Sequence, residues 1–344
     1  MNNTSMNLEE LYQQICNNIK KINFDTLWKG FAPTKFALYN ESECFFNCKY
    51  IDKTADFVAN TAIFYEGEYI AIWNVIDTPN ITVLTSKIIH EMFHAFQYAN
   101  HWDICVNELK ALIYYKYDEE NLSIKLRENK LLLDLYKSYD AEKAETFARY
   151  RKYRQEKFPY EFQYESSIEK LEGSANYVEW QALKQLDSSK ADELFASMTV
   201  QLSDCGFYFP IRISNYYSGA LFYAVQFTEQ VKSVFEANAT GESIGDISCN
   251  SDFAMKEAVL RYAEETERIV AKALASNKVI IEEPVELLGV NVYNARRYKQ
   301  YLTSTYFLMY LRNGKEEILN GNFIIKMMDD KTIEKVYEWD LEEG

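Results

Sequence analysis

An α+β fold is predicted, with β-rich segments towards both ends of the chain and a helical body between them. Three observations carry this. Short aromatic and β-branched runs bounded by turn residues fill 30–76. Charged, glycine-poor stretches with apolar residues at helical spacing fill 80–276, and β-type runs return over 277–344. On this reading 1–276 is one domain, β-rich over 30–76 and helical over 80–276, and 277–344 is a small β-rich appendage. The first sheet is expected to be antiparallel or mixed and to pack on the helical body.

Residues 7–29 read as an amphipathic helix, with Leu8, Leu11, Ile15, Ile19 and Ile22 at helical spacing. The runs FALYN, ECFFNCKYI, FVANTAIFY and EYIAIWNV follow as strands, with Glu66-Gly67 as a tight turn between the last two. Asp77-Thr78-Pro79 signals a turn and a helix start, and a helix is expected from Val83 to Asn100. Residues 104–157 suggest two or three helices, broken at Phe158-Pro159. Further helices are expected over Glu165 to Leu186, Ser218 to Ala237 and 252–276. KVIIEE, YLTSTYFLMYL, EEIL, NFIIKMM and KVYEW read as strands, with turns at Arg312-Asn313-Gly314 and Asn320-Gly321.

Composition narrows the function. The 344 residues include 48% hydrophobic side chains, enough for a large core. A net charge of −15 repels phosphate backbones, so a nucleic-acid partner is not expected. The basic run Arg149, Arg151, Lys152, Arg154 reads as a solvated helix face. The first residues lack the apolar core of a signal peptide and no run approaches 18 apolar residues, so a cytoplasmic protein without a membrane partner is expected. The six cysteines are expected to be reduced. Cys44 and Cys48 would share a strand face, but no second pair or nearby histidine completes a structural zinc site, so they read as core.

The chemistry concentrates in His90-Glu91-Met92-Phe93-His94. Two of only three histidines stand four residues apart, about 40° round a helix and about 6 Å along it, so both imidazoles can reach one ion. Glu91 sits about 100° round from His90, beside such an ion, where a base takes a proton from an activated water. Ile88, Ile89, Met92, Phe93 and Phe96 make the helix otherwise apolar, and a metal resolves the cost of burying these polar groups. Zinc needs a third protein ligand. His101 lies about 16 Å along the axis from His90, too far for the same ion unless the helix breaks.

Leu171-Glu172-Gly173-Ser174-Ala175-Asn176-Tyr177-Val178-Glu179 supplies a better candidate. HEMFH followed by EGSANYVE resembles the gluzincins, the HExxH…E zinc metallopeptidases, and among them the aminopeptidase-like branch. The resemblance implies a gluzincin-like fold with one Zn2+ per chain, held by His90, His94 and Glu172. It also implies Glu91 as the base in attack of a zinc-bound water on a peptide bond of a peptide or protein substrate. Gly173 and Ala175 would let the two active-site helices approach closely, and EYIAIWNV would form a cleft edge for an extended peptide. The matched segments cover about twenty residues. Gln97 stands where metallopeptidases that recruit a third histidine carry a bending glycine, and about 77 residues separate His94 from Glu172, so a helical insertion is implied. No anchor for a substrate amino terminus accompanies the motif.

Alternatives stay open. Glu142 or Glu145 in AEKAETFA is a rival third ligand. An oxyanion donor is needed and no histidine is spare, so Tyr216 and Tyr217, expected at a helix start, are the candidates, with Tyr177 nearer the ligand. A scaffold protein that keeps the fold without turnover, or a hydrolase of a non-peptide amide, would carry the same motif.

Overall fold

The computed structural model describes residues 7–76, 80–102, 104, 106–227 and 251–339. The fold is α+β, with a sheet near the N-terminus, many helices and a second sheet near the C-terminus. Its residues fall into two compact units interleaved in sequence. The first takes Met1–Ile104, Ile168–Gln201 and Tyr216–Thr228, and the second takes Cys105–Ser167, Leu202–Asn215 and Glu229–Gly344.

The first unit opens with α1 (Leu8–Ile19), capped by the Asn7 side chain. It is shorter than the expected 7–29. The helix stops ahead of Lys20-Lys21, and Ile22 is buried beyond its end. Five strands follow: β1 (Phe36–Tyr39), β2 (Cys44–Phe46), β3 (Lys49–Ile51), β4 (Thr61–Tyr65) and β5 (Glu68–Asn74). They form a mixed sheet in the order β3-β2-β1-β5-β4, with β1 and β5 parallel. ECFFNCKYI is thus a hairpin, because Asn47 and Cys48 both take positive φ (49° and 61°), as a twist-matched tight turn requires. Cys48 is exposed in that turn and Cys44 is buried, so the two cysteines do not share a strand face. Glu66 (φ 49°) and Gly67 (φ 90°) make the same kind of turn between β4 and β5.

One face of the sheet buries Ala37, Tyr39, Phe46, Ile70 and Ile72 around Phe57. Tyr12 of α1 stacks on Phe36 at 4.2 Å between centroids. Helix α2 (Ile81–Ala99) packs on β5 and β4, and Asn80 caps it by accepting from the backbone N–H groups of Thr82 and Val83. The Asp77-Thr78-Pro79 signal lies outside the described residues. Behind α2, Phe93 packs edge-on against Trp28 at 5.1 Å and Phe31 at 5.1 Å, and Trp28 also meets Tyr223 and Phe227. Strand β5 lies inside the sheet, between β1 and β4, so EYIAIWNV is not an edge; that place belongs to β4.

In the second unit, the expected two or three helices are α3 (Glu108–Tyr114), α4 (Glu119–Lys137) and α5 (Ala141–Lys157). Arg154 is not on a solvated face: it is 1% exposed and bonds Glu128 at 3.0 Å, Asn121 at 2.8 Å and the Glu165 carboxylate. Glu128 of α4 and Glu165 of α6 face it with the opposite charge, which periodicity alone did not reveal. Pro159 starts α6 (Pro159–Ile168). Downstream, α7 (Ser174–Leu186), α8 (Ser188–Ser203), α9 (Ile211–Gln226) and α10 (Phe253–Ser276) complete the helices described. Helix α10 ends at Asn277 in the left-handed region, φ 50°.

β-rich segments return after Asn277, as expected for 277–344. Eight strands, β6 (Val279–Ile281), β7 (Val285–Val290), β8 (Arg297–Tyr298), β9 (Tyr301–Ser304), β10 (Phe307–Arg312), β11 (Lys315–Asn320), β12 (Phe323–Met327) and β13 (Thr332–Glu338), pair antiparallel. Tyr306 (φ 71°) splits YLTSTYFLMYL into two strands, and Asn313-Gly314 turns β10 into β11. Ile325, Leu302, Leu308 and Val336 fill one face with Leu109 and Leu112 of α3, and Val270 and Ala273 of α10 cover Ile324 on the other.

Candidate metal centre

All residues of the centre lie in the first unit. His90 and His94 project from the same face of α2, with ring centroids 4.7 Å apart and planes at 76°. Their Nε2 atoms are 3.0 Å from each other. Glu172 Oε2 lies 3.7 Å from His90 Nε2 and 3.3 Å from His94 Nε2. Three atoms at these separations share a point about 2.0 Å from each, a zinc–nitrogen or zinc–oxygen bond length. The same three residues are the group of potential metal donors found among the described residues. Glu142 and Glu145 are exposed on α5 in the other unit, and His101 is exposed beyond the end of α2 with φ 52°.

Glu172 stands in a π-type turn, Glu169–Gly173, which joins α6 to α7. Such a turn inserts an extra residue into a helix and re-aims the side chains it carries. Its position is held from two sides. The Gln97 amide of α2 donates to the Leu171 carbonyl and to Ser174 Oγ, both at 2.9 Å. On another side, Gly173 meets Gly219 of α9: a Cβ added to Gly173 would fall 2.5 Å from Gly219 Cα, and one added to Gly219 would fall 2.7 Å from Gly173 Cα. Gly173 therefore serves a close crossing with α9, whereas it was expected to ease the approach of the two ligand-bearing helices. Gly219→Ala should destabilise the protein by about 1–3 kcal/mol and weaken metal uptake, although alanine is ordinarily the better helix former. Thermal unfolding and zinc titration of the variant test this, and an unchanged melting temperature would mean that the crossing has slack.

A polar side chain lies beside the outer nitrogen of each imidazole. With its amide nitrogen committed to Leu171 and Ser174, Gln97 presents Oε1 to His94 Nδ1 at 2.7 Å. His94 Nδ1 must therefore be the protonated donor, which in a neutral ring leaves Nε2 as a lone pair facing the other histidine. Glu179 Oε2 lies 3.2 Å from His90 Nδ1, an ion-pair distance without full hydrogen-bond alignment. Lys87 Nζ in turn stands 3.5 Å from Glu179 Oε1. Carboxylate or amide partners on the outer nitrogens are what metal-binding imidazoles use to fix tautomer and ring orientation. The sequence reading assigned neither Gln97 nor Glu179 this role. The available signal for Glu179 was its place seven residues, or two helical turns, after Glu172.

Electrostatics points the same way. Burial opposes ionisation of Glu172, but His90 and His94 outweigh it and hold the carboxyl far below the ordinary range. Glu179 is also lowered, against its burial, by His90 and Lys87. Burial works against a charged His90, yet Glu172 and Glu179 outweigh it and push its pKa up to about 10. Glu91 is raised, first by its burial, and its electrostatic neighbours are His90, His94, Glu172 and Glu179. Three carboxylates thus share a largely buried cluster, with Lys87 beside the Glu179 carboxylate. A proton on His90 removes only part of the excess, and a divalent cation between the three donors would offset the rest.

The tyrosines are placed differently from expectation. Tyr216 and Tyr217 lie inside α9, not at its start, because the helix begins at Ile211. Burial raises Tyr217, and its other neighbours are Lys87, Glu179 and the Gln201 side chain, so it sits by the outer carboxylate. Tyr216 is partly buried on the same helix. Tyr177 packs with Trp28 and Phe227 at the back of the centre. Tyr98, one turn beyond His94, is raised by burial and by the charges of Glu172 and Glu91, and its ring lies parallel to His94 at 6.5 Å. It is 40% exposed. Among the described residues, no helix is long and apolar enough to cross a membrane. The chain matches no family model, no curated protein and no solved structure.

Proposed function

We propose that this chain is a zinc-dependent hydrolase of gluzincin-like architecture, most specifically a metallopeptidase. The observation that carries the proposal is the convergence of His90 Nε2, His94 Nε2 and Glu172 Oε2 on one point, with Gln97 and Glu179 at the outer nitrogens of the two rings. Three protein donors of this kind leave a fourth position for water and substrate. When bound, zinc supplies a Lewis acid that polarises a carbonyl and acidifies a water.

Glu91 then does the proton work. It is 8% exposed, and its raised pKa makes it a stronger base than an ordinary carboxylate. It takes a proton from the attacking water as the oxygen–carbon bond forms. It passes that proton to the departing amine nitrogen as the carbon–nitrogen bond breaks. Tyr98, whose pKa is raised by burial and by the charges of Glu172 and Glu91, would donate to the oxyanion, in preference to Tyr216 and Tyr217.

The test is elemental analysis of the purified protein together with turnover on a peptide library. One zinc per chain and cleavage that stops on chelation are expected. A protein that neither carries nor takes up zinc would overturn the proposal. Glu179→Gln should retain the fold and lower zinc affinity by about 10–100-fold, measured by competition with a chelator. Wild-type affinity in that variant would assign Glu179 a packing role alone.

A further inference from the structure

The second unit contains a cavity of about 550 Å³, within the range of small-molecule sites. It is independent of the metal centre, whose residues belong to the first unit. Six of its lining residues are tyrosines. Tyr117 and Tyr262 stand 5.0 Å apart between ring centroids, and Tyr115 and Tyr164 stand 5.7 Å apart. Two hydroxyls are committed elsewhere: Tyr115 donates to Glu165 at 2.8 Å and Tyr164 to Glu108 at 2.7 Å. What these side chains offer the cavity is therefore ring surface more than hydroxyl.

The charges around the cavity invert those of the chain. Lys116, Arg212, Arg296, Arg297 and Lys299 line it, against the single carboxylate of Glu108. That carboxylate already accepts from Arg212 and from Tyr164. The Arg296 guanidinium lies over the Tyr262 ring at 4.8 Å, so a cation and an aromatic face are presented together. Arg296 also pairs with Glu265 at 2.8 Å and Arg212 with Glu108, so the positive excess that the lining offers a negative ligand comes chiefly from Lys116, Arg297 and Lys299, in a chain of net charge −15.

We propose that this cavity binds a small aromatic anion, with its ring against the tyrosine walls and its acid group at Arg296 and Arg297. Flat rings gain most from aromatic faces, and a carboxylate, sulfonate or phosphate matches the guanidinium fork.

Fluorescence titration with two dyes of similar body tests the assignment: the anionic anilinonaphthalene sulfonate and the uncharged phenylnaphthylamine. The full-length protein should take up one sulfonate dye per chain. Replacing both arginines, Arg296→Gln with Arg297→Gln, should weaken the sulfonate dye about tenfold or more and leave the uncharged dye unchanged. Ala263→Trp, which fills the cavity from an exposed position on α10, should weaken both dyes. Matching melting temperatures would show that the variants remain folded. Failure of the wild type to bind the sulfonate dye stoichiometrically would overturn the proposal. Equal sulfonate binding by wild type and the double arginine variant would overturn it too, whatever the tryptophan variant does. Inorganic sulfate is the remaining arm: displacement of the dye by millimolar sulfate alone would reduce the site to an anion patch and refute the aromatic part.

Discussion

Glu91→Gln is expected to keep the zinc and the fold and to lose hydrolysis by at least about 10²–10⁴ in rate. The substitution preserves shape and hydrogen-bonding length. Glu91 is absent from the three converging donors, so the metal should stay. Removing a buried carboxylate from a cluster that already holds Glu172 and Glu179 should even raise thermal stability slightly in the metal-free protein. Zinc content, melting temperature and turnover, compared between wild type and variant, decide the matter. Loss of zinc would make Glu91 a ligand, and equal turnover would place the base elsewhere.

Glu172→Ala is expected to abolish stoichiometric zinc binding, a loss beyond the about 10–100-fold of an outer partner, because a direct bond to the metal goes. Glu142→Ala and Glu145→Ala should bind zinc as wild type does, since both side chains are exposed in the other unit. Thermal unfolding with and without metal reads this out. Zinc at a hundredfold excess over Kd should stabilise wild type by about 2.7 kcal/mol and do little for Glu172→Ala. Retained zinc in Glu172→Ala, or an empty site in Glu145→Ala, would reverse the assignment of the third donor.

Much of the centre was legible because a helix writes its geometry locally. His90 and His94, four residues apart, face one point wherever α2 packs, and Glu91 follows from the same period. Glu172 was legible only through the resemblance of EGSANYVE to a known pattern. The tyrosines show where local reading stops: Tyr216 and Tyr217 were expected at a helix start, but the helix begins at Ile211 and carries them past the outer carboxylate. Tyr98, four residues after His94, has the same periodicity as His90 and His94 and was open to the same argument. Cys48 and Arg154 were misread for related reasons. A two-residue turn looks like a strand until its pairing is known, and a basic helix face looks solvated until Glu128 and Glu165 are placed against it.

By itself the sequence determined the alternation of β-rich and helical segments, the paired imidazoles and the carboxylate of Glu91 beside them, all set by contacts within a turn or two of the chain. Only the tertiary structure decided that β5 lies inside the sheet, that Gly173 and Gly219 touch, that Gln97 bonds the outer nitrogen of His94 and that Glu179 stands 3.2 Å from that of His90. Those features depend on which distant segments share a core. That is fixed by the packing of whole faces, and no local period in the chain encodes it.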